Sequence, residues 1–276
     1  MKKVLAALLL LMAIVEASFA LPVYESAKPP VLVQGAMNSE TDRLISALDE
    51  PVSCDIAHWR FFAGKIDGYP VVVSVTRCGM VNASASTALA LETFRPCAVI
   101  NQGTAGAHDP ALRCGDIVVA SDCFNCSAWM ALPSSKDQGV NYRDIGLLDL
   151  NFYDEYESGN DITFIPSDGK LKGCALSVKG RYSAGKVVEG RVATYDSWEK
   201  RVDKIIFLHE KFGSSCEEME TFAVAKVCRV YGVPFLGVRV ISNSALTGES
   251  FDPKTGGYCQ DFVIEIVKQY VGELRR

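Results

Sequence analysis

The sequence predicts a single α/β domain whose mostly parallel or mixed central sheet is flanked by helices. Strand-like and helix-like segments alternate along the 276 residues, the strand-like segments are nearly continuous apolar runs, and no internal repeat or low-complexity linker divides the chain. Continuous apolar runs are typical of strands buried on both faces, and their alternation with helices is typical of parallel β-α-β connections. A chain of this length can bury a large core as one domain.

The strand-like runs are short and rich in β-branched residues, and the segments between them have the length and pattern of helices. Strands are predicted over residues 30–36 (PVLVQGA), 69–76 (YPVVVSVT), 98–103 (AVINQG), 115–121 (GDIVVAS) and 234–242 (PFLGVRVIS). Helices are predicted over residues 39–48, 81–94, 215–231 and 260–274. Residues 127–168, rich in Ser, Asp, Asn and Gly, are predicted to be dominated by loops.

The first 20 residues have the pattern of a secretory signal peptide. Two lysines follow Met1, residues 4–15 form an apolar run of twelve, and Ser18-Phe19-Ala20 is a small-x-small cleavage site. An apolar run of this length is too short to span a bilayer. The sequence therefore predicts a signal peptide over residues 1–20, a mature domain over residues 21–276, and a secreted or periplasmic location.

Composition and charge exclude several classes of partner. The chain carries 28 basic and 33 acidic residues, for a net charge of −5, and has no block of Lys or Arg. An acidic chain of this kind is poorly suited to bind nucleic acid or an anionic membrane surface. With 49% apolar residues it is also far too hydrophobic to be disordered. We therefore expect a small-molecule ligand, and neither nucleic acid nor membrane as a partner.

The ten cysteines do not form the pattern of a zinc site. Cys123 and Cys126 form one Cys-x-x-Cys pair, but no second pair follows and the three histidines are scattered along the chain. Because export makes disulfides possible, this pair is equally compatible with a short-loop disulfide and with two reduced thiols. We expect no metal ion in this protein.

Ligands of α/β sheets bind outside the carboxyl ends of the strands, so polar residues that follow the predicted strands are candidates for a site. Four segments qualify: Gly35–Glu40 (GAMNSE), Asn101–Gly106 (NQGTAG), Glu217–Glu220 (EEME), and Arg239–Asn243 (RVISN) with Phe251 downstream. Three of them also have purely structural interpretations. GAMNSE can be an ordinary capped helix start, NQGTAG a bare glycine turn, and EEME a solvated acidic helix cap.

Together and in this order, the four segments resemble the purine/uridine phosphorylase superfamily, and within it the methylthioadenosine/S-adenosylhomocysteine nucleosidases. The resemblance runs from about Val31 to the C-terminus, with residues 127–180 poorly matched. It rests on NQGTAG through GDIVV at 115–119, on Glu-Met-Glu at 218–220, and on VPF at 233–235 followed by Arg239-x-Ile-Ser. It implies a nucleoside phosphorylase-like fold, a purine nucleoside as ligand, no cofactor, and a homodimer.

The resemblance also implies a role for each matching residue. Glu40 would activate the attacking water, Glu220 would accept hydrogen bonds from the ribose hydroxyls, and Asn243 would contact the purine. The remaining implied positions are Met37 at the ribose face, Thr104, Ala105 and Gly106 beside base and sugar, Met219 beneath the sugar, Phe251 flanking the base, and Arg239 supporting the pocket from behind.

Two positions depart from the family's pattern. Where the nucleosidases have an aspartate that protonates N7 of the leaving purine, this chain has Asn243. General acid catalysis contributes about 10²–10⁴-fold, and an amide can only hydrogen-bond. The aromatic residue that the family places after a strand near Gly190 also has no clear counterpart, because Val192-Ala193-Thr194 occupies that stretch, with Tyr195 next.

Asn243 leaves two interpretations open. The amide can donate to N7 or O6 of a 6-oxopurine, and asparagine at this position resembles superfamily enzymes that act on inosine-, guanosine- or futalosine-like nucleosides. Alternatively, the reaction has been lost and the protein binds or stores nucleosides, as the exported plant members of the superfamily suggest. Retention of Glu40, Glu220 and Phe251 favours a changed substrate.

The acceptor of the sugar is expected to be water. A phosphate acceptor needs fixed positive charge, and the phosphorylases that this chain resembles place an arginine just before the glycine motif. Here Asn101-Gln102 stands in that place, and Arg77, the only arginine near the relevant turns, does not match in position. The sequence therefore favours hydrolysis of a purine nucleoside, methylthioadenosine- or S-adenosylhomocysteine-like or 6-oxopurine, and leaves phosphorolysis as the alternative.

Overall fold

The computed structural model describes residues 28–139, 141, 143, 145–148 and 163–276, so the predicted signal peptide lies outside the described residues. The strands are β1 Val31–Gly35, β2 Asp49–Ile56, β3 Trp59–Ile66, β4 Tyr69–Val75, β5 Ala98–Ala107, β6 Ile117–Asn125, β7 Trp129–Ala131, β8 Ile145–Leu147, β9 Ile165–Pro166, β10 Val187–Thr194, β11 Ser214–Glu218 and β12 Phe235–Asn243. The helices are α1 Asp42–Ser46, α2 Met80–Phe94, α3 Gly169–Ser177, α4 Val202–Phe212, α5 Thr221–Tyr231 and α6 Thr255–Leu274, with short 3-10 turns at Asn38–Glu40 and Lys179–Arg181.

The central sheet is mixed and partly closes on itself. Its strand order is β11-β10-β6-β12-β5-β1-β4-β3-β2. Strands β4, β1, β5 and β12 run parallel, whereas β6 pairs antiparallel with β12. Strand β11 also pairs with β5, where Cys216 lies opposite Ala107 and Glu217 opposite Gly106, so β5, β12, β6, β10 and β11 form a closed ring. The predicted α/β domain with a parallel or mixed sheet is confirmed.

Helices cover both faces of the sheet, which is why its strands are continuous apolar runs. Successive side chains of a strand point to opposite faces. Val31 and Val33 of β1 therefore belong to a core with α6 and α3, whereas Leu32 belongs to a core with α2 and α5. The predicted helices over residues 81–94 and 260–274 correspond to α2 and to most of α6.

The predicted helix over residues 215–231 is wrong in its first part. Residues 214–218 form strand β11, and the helix begins only at Thr221. The glutamates of this segment are buried by pairing with β5 and β10 and by side chains from distant parts of the chain. Local periodicity carries no information on such partners, so acidic residues before an apolar helix looked like its first turn.

One further prediction is wrong, and several elements were not predicted. The predicted helix over residues 39–48 is a 3-10 turn followed by the five-residue α1. Strands β2, β3 and β10 and helices α3 and α4 were not predicted; β2 is almost entirely exposed, so it lacks the apolar run of a buried strand. The described part of residues 127–168 contains the short hairpin β7–β8 and the two-residue β9, besides loops.

All ten cysteines are free thiols in this structure, including Cys123 and Cys126, so the disulfide alternative is not formed here. Both thiols are buried and lie 3.5–3.7 Å from backbone carbonyl oxygens of other strands. Among the described residues, no group of His, Cys, Asp and Glu could hold a metal ion. Within the same residues, no helix has the length and apolarity needed to cross a membrane.

Candidate active site

A cavity of about 360 Å³ opens at the ends of β1, β5, β11 and β12. Nine of the ten residues predicted from the sequence line it: Met37, Glu40, Thr104, Ala105, Gly106, Met219, Glu220, Asn243 and Phe251. The tenth, Arg239, is buried behind the cavity. Four chain segments separated by up to about 200 residues therefore meet at one place, as the register of the parallel strands requires.

Glu40 is a buried carboxylate held by three donors. The Ala36 backbone N–H donates to Oε2 at 3.0 Å, and the backbone N–H and hydroxyl of Thr104 donate to Oε1 at 2.8 and 2.9 Å. Gly103 must lack a side chain, because a Cβ there would stand 2.9 Å from Oε1. The turn after β1 and the glycine motif on β5 thus fix this carboxylate at the cavity wall.

Glu220 lies directly before α5 and is buried next to a second carboxylate. The Gly79 backbone N–H donates to its Oε1 at 2.8 Å, and Gly79 itself lies beside the Asp196 carboxylate, which accepts from the Met80 N–H. Burial and the neighbouring charge of Glu218 raise the pKa of Glu220 to about 8. Much of Glu220 is therefore protonated at neutral pH.

Arg239 supports this wall from behind, as the sequence predicted. Its guanidinium pairs with the Glu218 carboxylate, with Nε at 3.1 Å and Nη2 at 2.5 Å, and Nη2 also donates to the Asn101 side chain. Burial opposes ionisation of Glu218, but the Arg239 charge and hydrogen bonds from Thr194 and the Glu220 N–H lower its pKa. The ion pair is buried and satisfied on both sides, so it holds β11, β12 and β5 in register behind the cavity.

Asn243 ends β12 and faces the opposite side of the cavity. The Ser242 hydroxyl donates to its amide oxygen at 3.1 Å. Its amide nitrogen lies beside Gly106, 3.2 Å from where a Cβ on that glycine would stand. The bare Gly106 therefore makes room for the amide, which the sequence could not show from the glycine motif alone.

An aromatic pair closes the outer wall of the cavity. The rings of Trp198 and Phe251 meet edge to face with their centroids 5.9 Å apart, and both residues are exposed. Trp198 thus adds an aromatic residue to the cavity wall, whereas Tyr195 is buried and does not line the cavity. The sequence prediction missed Trp198 because it lies in the loop after β10, whose end was not recognised.

Glu217 is a second lining residue that the sequence did not single out. It is buried, and its Oε2 accepts a hydrogen bond from the Tyr195 hydroxyl and lies 3.3 Å from Nε2 of His108. The Glu199 backbone N–H donates to Oε1 at 3.2 Å. The EEME run pointed to this residue, but a solvated helix cap also accounted for it, so Glu217 was not predicted to line the cavity.

The lining is strongly acidic. Four glutamates line the cavity, at positions 40, 217, 218 and 220, and no Lys or Arg does so among the described residues. Arg77 does not line the cavity; its guanidinium donates to the His58 carbonyl oxygen at 2.9 Å. Such a cavity suits a neutral ligand rich in hydroxyl and N–H donors and disfavours an anion such as phosphate.

Fold and site together define a nucleoside-sized acidic cavity at the strand ends of a mixed α/β sheet, and comparison with known proteins places the chain in a family. The sequence model described as the phosphorylase superfamily matches residues 30–271. The protein therefore belongs to the phosphorylase superfamily.

Individual relatives also match most of this chain. The 5'-methylthioadenosine/S-adenosylhomocysteine nucleosidase of Shewanella halifaxensis is 30% identical over 241 residues, covering 85% of this chain and 97% of that protein. The nucleosidase of the same name from Bacillus pumilus is 30% identical over 245 residues, covering 87% and 98%.

Solved structures agree with the fold. The Neisseria meningitidis nucleosidase in complex with methylthio-immucillin-A has a TM-score of 0.72 at 23% identity, covering 87% of this chain and 99% of that one. The futalosine hydrolase of Helicobacter pylori has a TM-score of 0.69 at 22% identity, covering 88% and 97%. At these identities the structural likeness supports the fold alone.

Proposed function

We propose that this protein is an exported purine nucleosidase that cleaves the N-glycosidic bond with water. The observation that carries the proposal is that Glu40, Glu220 and Asn243 face one cavity with an acidic lining. The curated relatives named as 5'-methylthioadenosine/S-adenosylhomocysteine nucleosidases support the reaction class. Candidate substrates are methylthioadenosine- or S-adenosylhomocysteine-like nucleosides and 6-oxopurine nucleosides.

In the proposed reaction, Glu40 takes a proton from a water molecule that attacks C1′ of the ribose. Because the donors from Ala36 and Thr104 hold the carboxylate from one side, its remaining lone pairs can orient that water. The C1′–N bond breaks as positive charge develops on the sugar, and the bonding electrons leave with the base. The base then takes a proton from solvent water, and the proton held by Glu40 returns to solvent. Glu220 accepts hydrogen bonds from the ribose diol, and the Asn243 amide donates to the purine.

Water rather than phosphate is the proposed acceptor because of charge. Within the described lining, four glutamates and no Lys or Arg would surround a bound phosphate, and the buried Arg239 behind the lining is already paired with Glu218. Phosphate-binding sites supply fixed positive charge, most often arginine. The cavity supplies the opposite sign, which favours a neutral nucleophile.

The test is a purine nucleoside panel incubated with purified protein of residues 21–276, with and without phosphate. We expect release of free base at the same rate in both conditions, with free ribose or its 5′-substituted form as the other product. A strict need for phosphate, with a ribose 1-phosphate product, would make the protein a phosphorylase.

A second candidate function follows from Asn243 itself. Its amide has no proton that it can give up to the leaving base, so the chain could bind nucleosides without cleaving them. Tight nucleoside binding without base release from any member of the panel would support this binding or storage role.

Export and dimerisation complete the proposal. The positively charged start, the apolar run and Ser18-Phe19-Ala20 support cleavage after residue 20, which N-terminal sequencing of the protein recovered from secreted and periplasmic fractions would test.

Trp198 and Phe251, exposed by 57% and 41% at the cavity rim, support a homodimer that covers this rim. Sedimentation equilibrium of the wild type would measure its mass in solution.

A further inference from the structure

We propose that Gln102 and Gln260 are positioning residues for Glu40: their side-chain amides hold the turn that directs the Glu40 carboxylate into the cavity. This inference rests on the proposed function, in which Glu40 takes a proton from the attacking water. Gln102 lies on β5 and Gln260 on α6, and both side chains are buried. Neither residue lines the cavity, so each can act on the reaction only through the residues that it contacts.

The turn that carries Glu40 interrupts what would otherwise be one helix. In a continuous α-helix each backbone N–H donates to the carbonyl oxygen four residues earlier, so Arg43 would donate to Ser39. Leu44 would donate to Glu40 in the same way. Here both N–H groups donate instead to Oε1 of Gln260, at 2.8 and 3.3 Å. Both helical hydrogen bonds are therefore replaced, and the α-helix does not extend back to Glu40.

Two glutamine amides bind the carbonyl oxygens that this interruption leaves without a helical donor. Nε2 of Gln260 donates to the Ser39 carbonyl oxygen at 2.9 Å. Nε2 of Gln102 donates to the Glu40 carbonyl oxygen. Thr41, at the start of α1, makes no side-chain cap, so Gln260 is the partner of the first N–H groups of this helix. Side chains from two remote elements thus satisfy four backbone groups and fix the interrupted form of the chain.

The surroundings of the turn are shaped for these amides. A Cβ on Gly35 would stand 2.8 Å from Nε2 of Gln102. A Cβ on Gly256 would stand 3.0 Å from the Ser39 carbonyl oxygen. Oε1 of Gln102 is buried and has no hydrogen-bond partner among the described residues. Because a buried oxygen without a partner costs stability, packing alone does not account for a glutamine here, and we assign its role to the hydrogen bond that Nε2 donates to the turn.

The position of the Glu40 carboxylate follows from the turn. The backbone N–H groups of Ala36 and Thr104 donate to the carboxylate while the turn presents it to them. Without the Gln102 amide, the Glu40 carbonyl oxygen loses its donor, and the Leu44 N–H is the donor that a helix would supply. The present hydrogen bond of that N–H is 3.3 Å long, so the turn is expected to become more helical and to move the carboxylate. A misplacement of about 1 Å can lower a rate by about 10²-fold.

The substitutions Gln102→Met and Gln260→Met each remove one amide and keep a long, unbranched side chain. We expect kcat for inosine or methylthioadenosine, whichever the wild type cleaves, to fall about 10- to 100-fold in each variant. KM should change little, because the other contacts to the nucleoside remain. In a Glu40→Gln background the same substitutions should cause no further loss, since the side chain that they position no longer acts as a base.

The matched control is Gln34→Met. Gln34 is a buried glutamine on β1 whose amide nitrogen also has no hydrogen-bond partner among the described residues. Its amide oxygen accepts from Thr87 on α2, away from the turn, so kcat of this variant should equal that of wild type.

A second measurement does not depend on cleavage. The amide protons of Ala36 and Thr104 donate to the Glu40 carboxylate, so their NMR chemical shifts report where that carboxylate lies. In unliganded protein both should move upfield in Gln102→Met and stay in place in Gln34→Met.

The outcomes separate this inference from the proposed function. If the wild type cleaves nucleosides and both variants keep its kcat, or lose as much in the Glu40→Gln background, the two glutamines do not position Glu40 although the nucleosidase stands. If nothing is cleaved but the two amide protons shift in Gln102→Met and not in Gln34→Met, the positioning stands and the nucleosidase fails. Unchanged shifts in Gln102→Met would overturn the positioning in either case. If Gln102→Met does not fold, Gln260→Met is measured in its place.

Discussion

On one side of the cavity, Glu40 and Glu220 accept hydrogen bonds from backbone N–H groups of Ala36, Thr104 and Gly79. On the other side, Glu217 and Asn243 are held mainly by side chains: Tyr195 and His108 hold the carboxylate, and Ser242 holds the amide. Every residue except proline supplies the same backbone N–H donor, so these hydrogen bonds on the first side depend on the fold. The hydrogen bonds on the second side depend on residue identity, so substitutions there can change which ligand binds without changing the fold.

This contrast explains which side resembles the family. The turns that hold Glu40 and Glu220 match the family's motifs, whereas Asn243 departs from them. In the proposed function, Glu40 and Glu220 act on the sugar and Asn243 contacts the base.

The largest expected effect is on the Glu40–Glu220 side. Glu40→Gln keeps the shape of the side chain but removes its basicity, so turnover should fall by about 10²-fold or more while nucleoside binding survives. Steady-state rates and calorimetric binding would measure the two effects. The exposed variant Glu210→Gln serves as control, and a Glu40→Gln protein with wild-type turnover would exclude Glu40 as the base.

On the opposite side, Asn243→Asp should change the choice of base. A protonated carboxyl can donate to N7 and accept from a 6-amino group, so preference should move towards 6-aminopurines by about 5- to 150-fold. The ratio of kcat/KM for adenosine and inosine measures the shift. A constant ratio would contradict the assignment, and cleavage that appears only in this variant would identify the wild type as a binding protein.

Removal of the aromatic wall should have a smaller effect, confined to binding. Trp198→Ala loses contact with both the ligand and Phe251, and aromatic contacts of this kind contribute about 0.5–1.5 kcal/mol. KM should rise about 2- to 12-fold with little change in kcat, because neither ring carries a charge or transfers a proton. Trp129→Ala, which removes an exposed tryptophan outside the cavity lining, is the control. A large loss of kcat in Trp198→Ala would show that this ring does more than bind.

The smallest expected effect is on stability. Burial and Glu218 raise the pKa of Glu220 to about 8, from an ordinary value of 4.5, so the protonated side chain favours the folded state. That contribution is fully present below pH 4.5 and is lost as the pH rises through 8. Between these limits the melting temperature of wild type should fall more than that of Glu220→Gln. Parallel melting curves for the two proteins would contradict the raised pKa.

Much of the fold could be predicted because buried strands leave a local signature. The runs at β1, β4 and β12 are apolar on both faces, so each was recognised close to its true bounds. Strand β11 left no such signature: its glutamates are stabilised by Arg239, Tyr195 and His108, which lie far away in sequence. Strand β2 was missed for the opposite reason, since an exposed edge strand needs no apolar run.

By itself, the sequence determined the α/β class, because strand burial is a local property. It also determined the order of the motifs, and their resemblance to a family indicated nine residues that line one cavity. Only the tertiary structure decided that Trp198 stands beside Phe251 and that Glu217 stands beside Asn243 at Gly106. The second pair of neighbours comes from the closure of β11 onto β5, a pairing between residues more than 100 positions apart. Contacts of that kind depend on how the strands assemble, and no local pattern in the chain encodes them.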